Sequence, residues 1–287
     1  MVTAYLFPTS PEECLRMLAA HQGARIIAGG TDLMVDIKDR RVEPRVLVDI
    51  TRIPGVDLIA EEGENIILGG GVTHAQAAHS ELVKEKLAAL AQAAASVGSP
   101  QIRNVGTLAG NVVNAQPAAD AAVALVALGA EAEIIGPAGT RRVPVEELYE
   151  GVGRSRVDST RELLWRFLVP KWGEGDASAF VRLSPRRALS LPMLNVAVRV
   201  QARDGRWQRV RICLAPVAPR PYLCREAAEA LVGAEVTRDR MAEAARIAAD
   251  LAQPRDSQLR GSREYRKEMV RVLVLRALEE AVSRLGR

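Results

Sequence analysis

The chain has 287 residues, of which 48% are hydrophobic and 26% charged. This is an ordinary globular composition, which excludes the disordered and fibrous classes and is long enough for two or three small domains. The net charge of +4 is spread along the chain, and aromatic residues are only 3%. The densest basic stretch, SREYRKEMVR, is interrupted by glutamates on a helical pattern, so it reads as a solvated helix face and not as a nucleic-acid site.

The amino-terminal MVTAYLFPTSPEE lacks a basic segment followed by a long apolar core, so it does not read as a signal peptide. The longest apolar run, residues 121–130, is about half of the ~20 residues that a membrane span needs. The expectation is a cytoplasmic protein with no membrane span. Three cysteines, Cys14, Cys213 and Cys224, are odd in number and far apart, with no C-x-x-C. That argues against a disulfide framework, a zinc site or an iron–sulfur cluster held by this chain.

In chain order, SPEECLRMLAAHQG carries helix punctuation: Ser10 as N-cap, Pro11 at the first helical position, Glu13 closing a capping box and Gly23 as the stop. RIIA follows as a short strand, GGTD as a sharp turn and RVLVDI as a second strand, giving a β-α-β-like unit over residues 1–53. VDLIA and NIILGG then form a hairpin around EEGE, and Thr73 with Gln76 opens a capped helix. EKLAALAQAAASVGS is an Ala-rich helix ended by Gly98.

Residues 101–120, QIRNVGTLAGNVVNAQPAAD, read as irregular backbone rich in small and amide residues, placed directly before the apolar helix AAVALVALGA. A second hairpin, AEIIGPAGTRRVPV, and the strand ELLWRFLVP complete a unit over residues 54–173. Residues 177–287 read as an antiparallel sheet with helices on one face. SAFVRL enters it, and two long strands are joined by an Asp-Gly turn. Helices follow around 225–232, 237–252 and 262–285.

Two glycine turns after short apolar elements carry the chemical information: IIAGGTDL (26–33) and GTLAGN (106–111). Glycines let backbone N–H groups approach a ligand, and successive amides form concave anion sites. Thr31 and Thr107 add hydroxyls and Asn111 an amide, so two such turns converging would suit a diphosphate. Taken singly, each reads as an ordinary tight turn. The G-x-G-x-x-G and G-x-x-x-x-G-K-[ST] nucleotide fingerprints are absent, GGGVTH (69–74) being only a partial match to the first. His74 and His79, five apart, fall off one helical face and read as surface residues. With no nucleophile elbow and no Cys/His pair suggested, any chemistry is expected to reside in a cofactor.

RIIAGGTDLMVDIK together with QIRNVGTLAGNVVNAQPAADAAVALVALGAE resembles the FAD-binding medium subunit of the molybdenum hydroxylases, the xanthine and carbon monoxide dehydrogenase group. The resemblance continues through GAEVTRDRMAEAARIAADLAQPRDSQLRGSREYRKEMVRVLVLRAL and so covers essentially the whole chain. It implies an α+β fold of the vanillyl-alcohol-oxidase type: two α/β subdomains enclosing FAD, then a carboxy-terminal domain with an antiparallel sheet and helices.

By the same resemblance, the first turn, Ala28, Gly29, Gly30, Thr31 and Asp32 flanked by Ile26, Ile27 and Leu33, wraps the FAD diphosphate. Thr107, Leu108, Ala109, Gly110 and Asn111 meet the cofactor from the second subdomain. Asp120 matches a carboxylate that contacts FAD, Asn114 lies between, and Val97 and Leu164 match positions that touch the flavin. Partners would be a large molybdopterin subunit and a small [2Fe–2S] subunit, assembled as a dimer of heterotrimers.

Two departures stand out. The family's Thr-Ile-Gly-Gly is here Thr107-Leu108-Ala109-Gly110, and a family lysine is replaced by Arg182, with Arg186 and Arg187 nearby. No cysteine-rich insertion is present, which excludes the benzoyl-CoA-reducing branch. Two alternatives stay open: an FAD-less subunit that only bridges the other two, and a stand-alone FAD oxidoreductase of the same superfamily.

Overall fold

The computed structural model describes residues 2–186, 189–258 and 260–286, so Arg187 lies outside the described residues. Among the described residues three main sheets follow one another along the chain, with a small two-stranded ribbon beside the second, and three hydrophobic cores pack on them.

The first holds strands β1 (Ala4–Leu6), β2 (Ala24–Ile27) and β3 (Val46–Asp49), with helices α1 (Pro11–Ala20) and α2 (Leu33–Lys38) between them. All pairings are parallel, in the order β1-β3-β2. Central β3 is buried along its whole length, which is why Val46-Leu47-Val48 is a continuous apolar run. Ser10 caps α1 through its hydroxyl, but Glu13 reaches past the N-cap residue to the N–H of Thr9 at 2.6 Å, so the capping box is displaced by one residue. The turn 28–32 leads directly into α2, a helix absent from the sequence reading.

The second sheet is antiparallel, in the order β4-β5-β10-β6-β7. Its strands are β4 (Ile59–Glu62), β5 (Asn65–Gly69), β6 (Glu131–Gly136), β7 (Gly139–Pro144) and β10 (Leu163–Pro170), with a small β8 (Tyr149–Gly151) and β9 (Arg154–Ser155) ribbon beside them. Between β5 and β6 run six helices: α3 (His74–His79), α4 (Glu81–Lys86), α5 (Ala88–Ser96), α6 (Pro100–Val105), α7 (Leu108–Val113) and α8 (Asp120–Leu128).

The stretch 101–120 is therefore more regular than its composition indicates. Ser99 accepts from the N–H of Ile102, with Pro100 at the first helical position, and Thr107 accepts from the N–H of Gly110. Two one-turn-scale helices form on these caps, and Gly106, in an extended conformation, separates them. All nine residues of α8 are buried, as an all-round apolar helix must be.

The third sheet, β11-β12-β13-β14, is antiparallel and consists of β11 (Asp176–Leu183), β12 (Leu194–Arg203), β13 (Arg206–Ala215) and β14 (Tyr222–Leu223). Asp204 and Gly205, both at positive φ, make the Asp-Gly turn. Helices α9 (Arg225–Glu229), α10 (Arg238–Leu251) and α11 (Arg263–Val282) complete the chain.

The sheet's own helices α9, α10 and α11 lie on one face, and α5 and α8 of the second unit pack on the other. Val196, Val198 and Val200 of β12 join a core with α10 and α11 residues, while Ala197 on β12, Phe180 on β11 and Cys213 on β13 join the core of α5 and α8. The period of two along each strand sorts residues between two apolar layers, and the start of β13, with Gln208 and Arg209 exposed, is left to water. Among the described residues no helix is long and apolar enough to cross a membrane.

Candidate functional site

A cleft of about 1250 Å³ opens where the three units meet. This is above the ~300–1,000 Å³ of an ordinary small-molecule pocket, and large enough for a dinucleotide. Its walls include, from the first unit, Ile26, Ile27, Ala28, Gly29, Gly30, Thr31, Asp32 and Leu33; from the second, Val97, Thr107, Ala109, Gly110, Asn111, Asn114, Asp120 and Leu164; and from the third, Arg182. The two glycine turns therefore do converge. Leu108 differs: its side chain is fully buried in the α8 core and its N–H donates to the Val72 carbonyl at 2.9 Å, so it faces inward.

The turns touch as backbone. A Cβ placed on Gly29 would lie 1.8 Å from the Val105 carbonyl oxygen and 3.0 Å from the Gly106 nitrogen. The bare glycine is thus required by the crossing of the two chain segments, ahead of any role in admitting a ligand. Gly30 has φ of 66° and makes the left-handed turn into α2.

Ala109, in place of a family glycine, turns its methyl toward Gly70. That methyl lies 3.4 Å from where a Gly70 side chain would start, and Gly70 is itself kept bare by the Leu164 carbonyl 2.4 Å from the same point. The Ala109 methyl is 7% exposed and belongs to the core.

Thr107 spends its hydroxyl lone pair on the Gly110 N–H at 3.1 Å, and Asn111 its carbonyl on the Ala122 N–H of α8 at 3.2 Å, leaving the Asn111 NH₂ as a donor. Asp120, 6% exposed, accepts from Asn195 Nδ2 at 2.8 Å and Arg182 Nε at 3.2 Å. Burial raises its carboxyl pKa, and Arg182, then Asn195, oppose that.

His74 corrects another expectation. It is 3% exposed and lines the cleft. Its backbone N–H donates to the Gly106 carbonyl at 3.0 Å, so α3 starts directly beneath the second turn. Burial, then the Arg103 charge, lowers its pKa to about 4, and the ring is neutral at pH 7.

The formal charges lining the cleft balance, with Arg25, Arg182, Arg255, Arg260 and Arg266 against Asp32, Asp36, Asp120, Asp256 and Glu162. Asp36, Asp120 and Glu162 are ion-paired with Arg41, Arg182 and Arg141, whereas Arg25, Arg255 and Arg260 make no ion pair among the described residues. Arg266 is buried and donates to the carbonyls of Arg255 and Pro216, at 2.8 and 2.5 Å, tying the loop before α11 to the end of β13. These third-unit residues were missed as cleft residues, although PRDSQLRGSREYR had stood out as a pattern. The three thiols are buried; Cys14 is pushed up to about 12 and Cys224 to about 11 by burial, which leaves them inert at neutral pH.

Residues 1–172 match the family described as the FAD binding domain in molybdopterin dehydrogenase, and residues 179–281 match the CO dehydrogenase flavoprotein C-terminal domain. The chain belongs to this family of FAD-binding dehydrogenase subunits. Nicotine 6-hydroxylase medium subunit of Paenarthrobacter nicotinovorans is 30% identical over 284 residues, covering 98% of this chain and 97% of that protein. The carbon monoxide dehydrogenase medium chain of Hydrogenophaga pseudoflava is 29% identical, covering 98% and 97%. A solved carbon monoxide dehydrogenase from the same organism superposes with a TM-score of 0.91 at 29% identity, over 100% of this chain and 99% of that one. Quinoline 2-oxidoreductase of Pseudomonas putida 86 gives 0.89 at 27% identity, over 99% and 98%. The chain is accordingly an FAD-binding subunit of an oxidoreductase in the molybdenum hydroxylase family.

Proposed function

We propose that this subunit is the electron outlet of a three-subunit molybdenum hydroxylase, made of the units 1–53, 54–173 and 177–287 described above. Bound in the cleft, FAD would supply redox chemistry, taking electrons from [2Fe–2S] clusters of a small partner subunit, after substrate oxidation at molybdopterin in a large one, and passing them to an external acceptor. The observation that carries this reading is the convergence of the two glycine turns on one cleft of about 1250 Å³.

The chain's own residues bind and orient. Backbone amides of Gly29 to Asp32 would hold the diphosphate, joined by the Thr107 N–H and the Asn111 NH₂, since the N–H groups of Leu108, Ala109 and Gly110 already go to Val72, Gly70 and Thr107. Asp120 would accept a donor of the ligand with Arg182 holding the carboxylate, and Asn114 would stand across the cleft beside Asp32. Ile26, Ile27, Val97 and Leu164 supply apolar wall that excludes water. No side chain is required as a general acid or base. Assembly with both partners as a dimer of heterotrimers completes the proposal.

A visible spectrum of the purified chain before and after dithionite tests it, with the released cofactor weighed by mass spectrometry. Flavin bands that bleach, with FAD released, are expected. A colourless chain that also refuses added FAD would overturn the redox role and favour the bridging subunit.

A further inference from the structure

Both donors on Asp120 come from the third sheet, Asn195 from β12 and Arg182 from β11, and both go to the same oxygen, Oδ1. Among the described residues no donor reaches Oδ2. The other two Arg182 nitrogens are engaged by Ser184 Oγ, at 3.1 Å, and the Ser190 carbonyl. The guanidinium therefore offers the carboxylate a single contact, about which it could swing. Asn195 supplies the second contact and so defines the carboxylate plane. Its Nδ2 donates to Asp120 Oδ1 at 2.8 Å and to the Ala118 carbonyl at 3.4 Å, so both hydrogens go to acceptors and the amide has one orientation. Asn195 is 0% exposed, and its own Oδ1 is buried without a partner. An orphaned buried acceptor is destabilising, so a purely structural role would be served better by an apolar residue of the same shape.

We propose that Asn195 is a positioning residue for the cofactor. By holding Oδ1 together with Arg182, it leaves Oδ2 of Asp120 turned to the cleft as the acceptor for an N–H or O–H of the bound dinucleotide. This rests on the FAD reading above.

The full-length chain, freed of cofactor, is titrated with FAD by fluorescence quenching as wild type, Asn195→Leu, Asp120→Ala and the double variant. Asn195→Leu removes the amide and the orphaned oxygen at nearly constant shape. The expected result is an FAD dissociation constant raised about tenfold, with the apoprotein still folding cooperatively and its thermal midpoint lowered only slightly, because Arg182 still holds Asp120 and the orphaned Asn195 oxygen is gone. In the Asp120→Ala background the same change adds no further loss, because Asn195 acts through that carboxylate. Asn195→Ala serves in the same cycle should the leucine variant not fold. Wild-type affinity in the single variants, or losses that add in the double, would overturn the proposal. Wild-type protein that takes up no FAD would instead remove the reading beneath it.

Discussion

At Gly29 the place of a side chain is taken by the Val105 carbonyl, and at Gly70 by that of Leu164. Sequence reasoning assigned the first turn's glycines to ligand approach. The first task of Gly29 is to let backbone cross backbone, and that of Gly30 is the left-handed turn into α2. His74 shows the opposite limit, a polar residue drawn inside by the same crossing. Its folded pKa of about 4 lies below the ordinary 6.5. Between those values the unfolded chain binds a proton that the folded chain refuses, so stability falls as pH drops from 6.5 and levels off below 4. Wild type should lose up to about 3 kcal/mol across that window that His74→Gln does not lose. Urea unfolding at pH 7 and at pH 4.5 measures the difference, and parallel losses in both proteins would refute the assignment.

Among the elements, α8 connects the units. Its amino end is held by Arg182 and Asn195 through Asp120, and its carboxy-terminal carbonyls by arginines of β12 and β13. Arg199 donates to Leu128 O at 2.7 Å, and Arg211 to Ala127 O at 3.1 Å and Val126 O at 2.9 Å. Cations there also complement the helix dipole. Arg199 is 1% exposed, ion-paired with Asp176 and stacked 4.3 Å over the Trp172 ring. Arg199→Ala should cost about 3–5 kcal/mol in denaturant unfolding, since it leaves a carboxylate and a carbonyl without their partner. A loss below about 1 kcal/mol would put the pair among the weak surface bridges. The apolar run of α8 was readable, as were the capped starts of α1 and α3. What clamps its ends was not, because the clamping arginines lie more than sixty residues away and look like any strand arginine.

On the scale of the whole molecule, the third sheet is buried on both faces, one by its own helices and one by α5 and α8. Cutting the chain after residue 173 would bare the apolar faces of α5 and α8, remove Arg182 from the cleft and remove Asn195 from behind Asp120. The truncated chain is expected to aggregate or bind hydrophobic dye, and to retain no FAD on gel filtration. A soluble fragment carrying stoichiometric flavin would show the third unit to be dispensable.

Local information determined much of this protein. Strand periodicity, caps, the Asp-Gly turn and the apolar run of α8 are written in neighbouring residues, because they depend on backbone sterics and short hydrogen bonds. The paired glycine turns and the long tail pattern carried the family. The tertiary structure alone decided that His74 is buried, that helices of two units pack on opposite faces of the third sheet and that Asp120 is held from β11 and β12. Each of these depends on which surfaces meet across large sequence separations, and burial, desolvation and ion pairing act between surfaces, not along the chain.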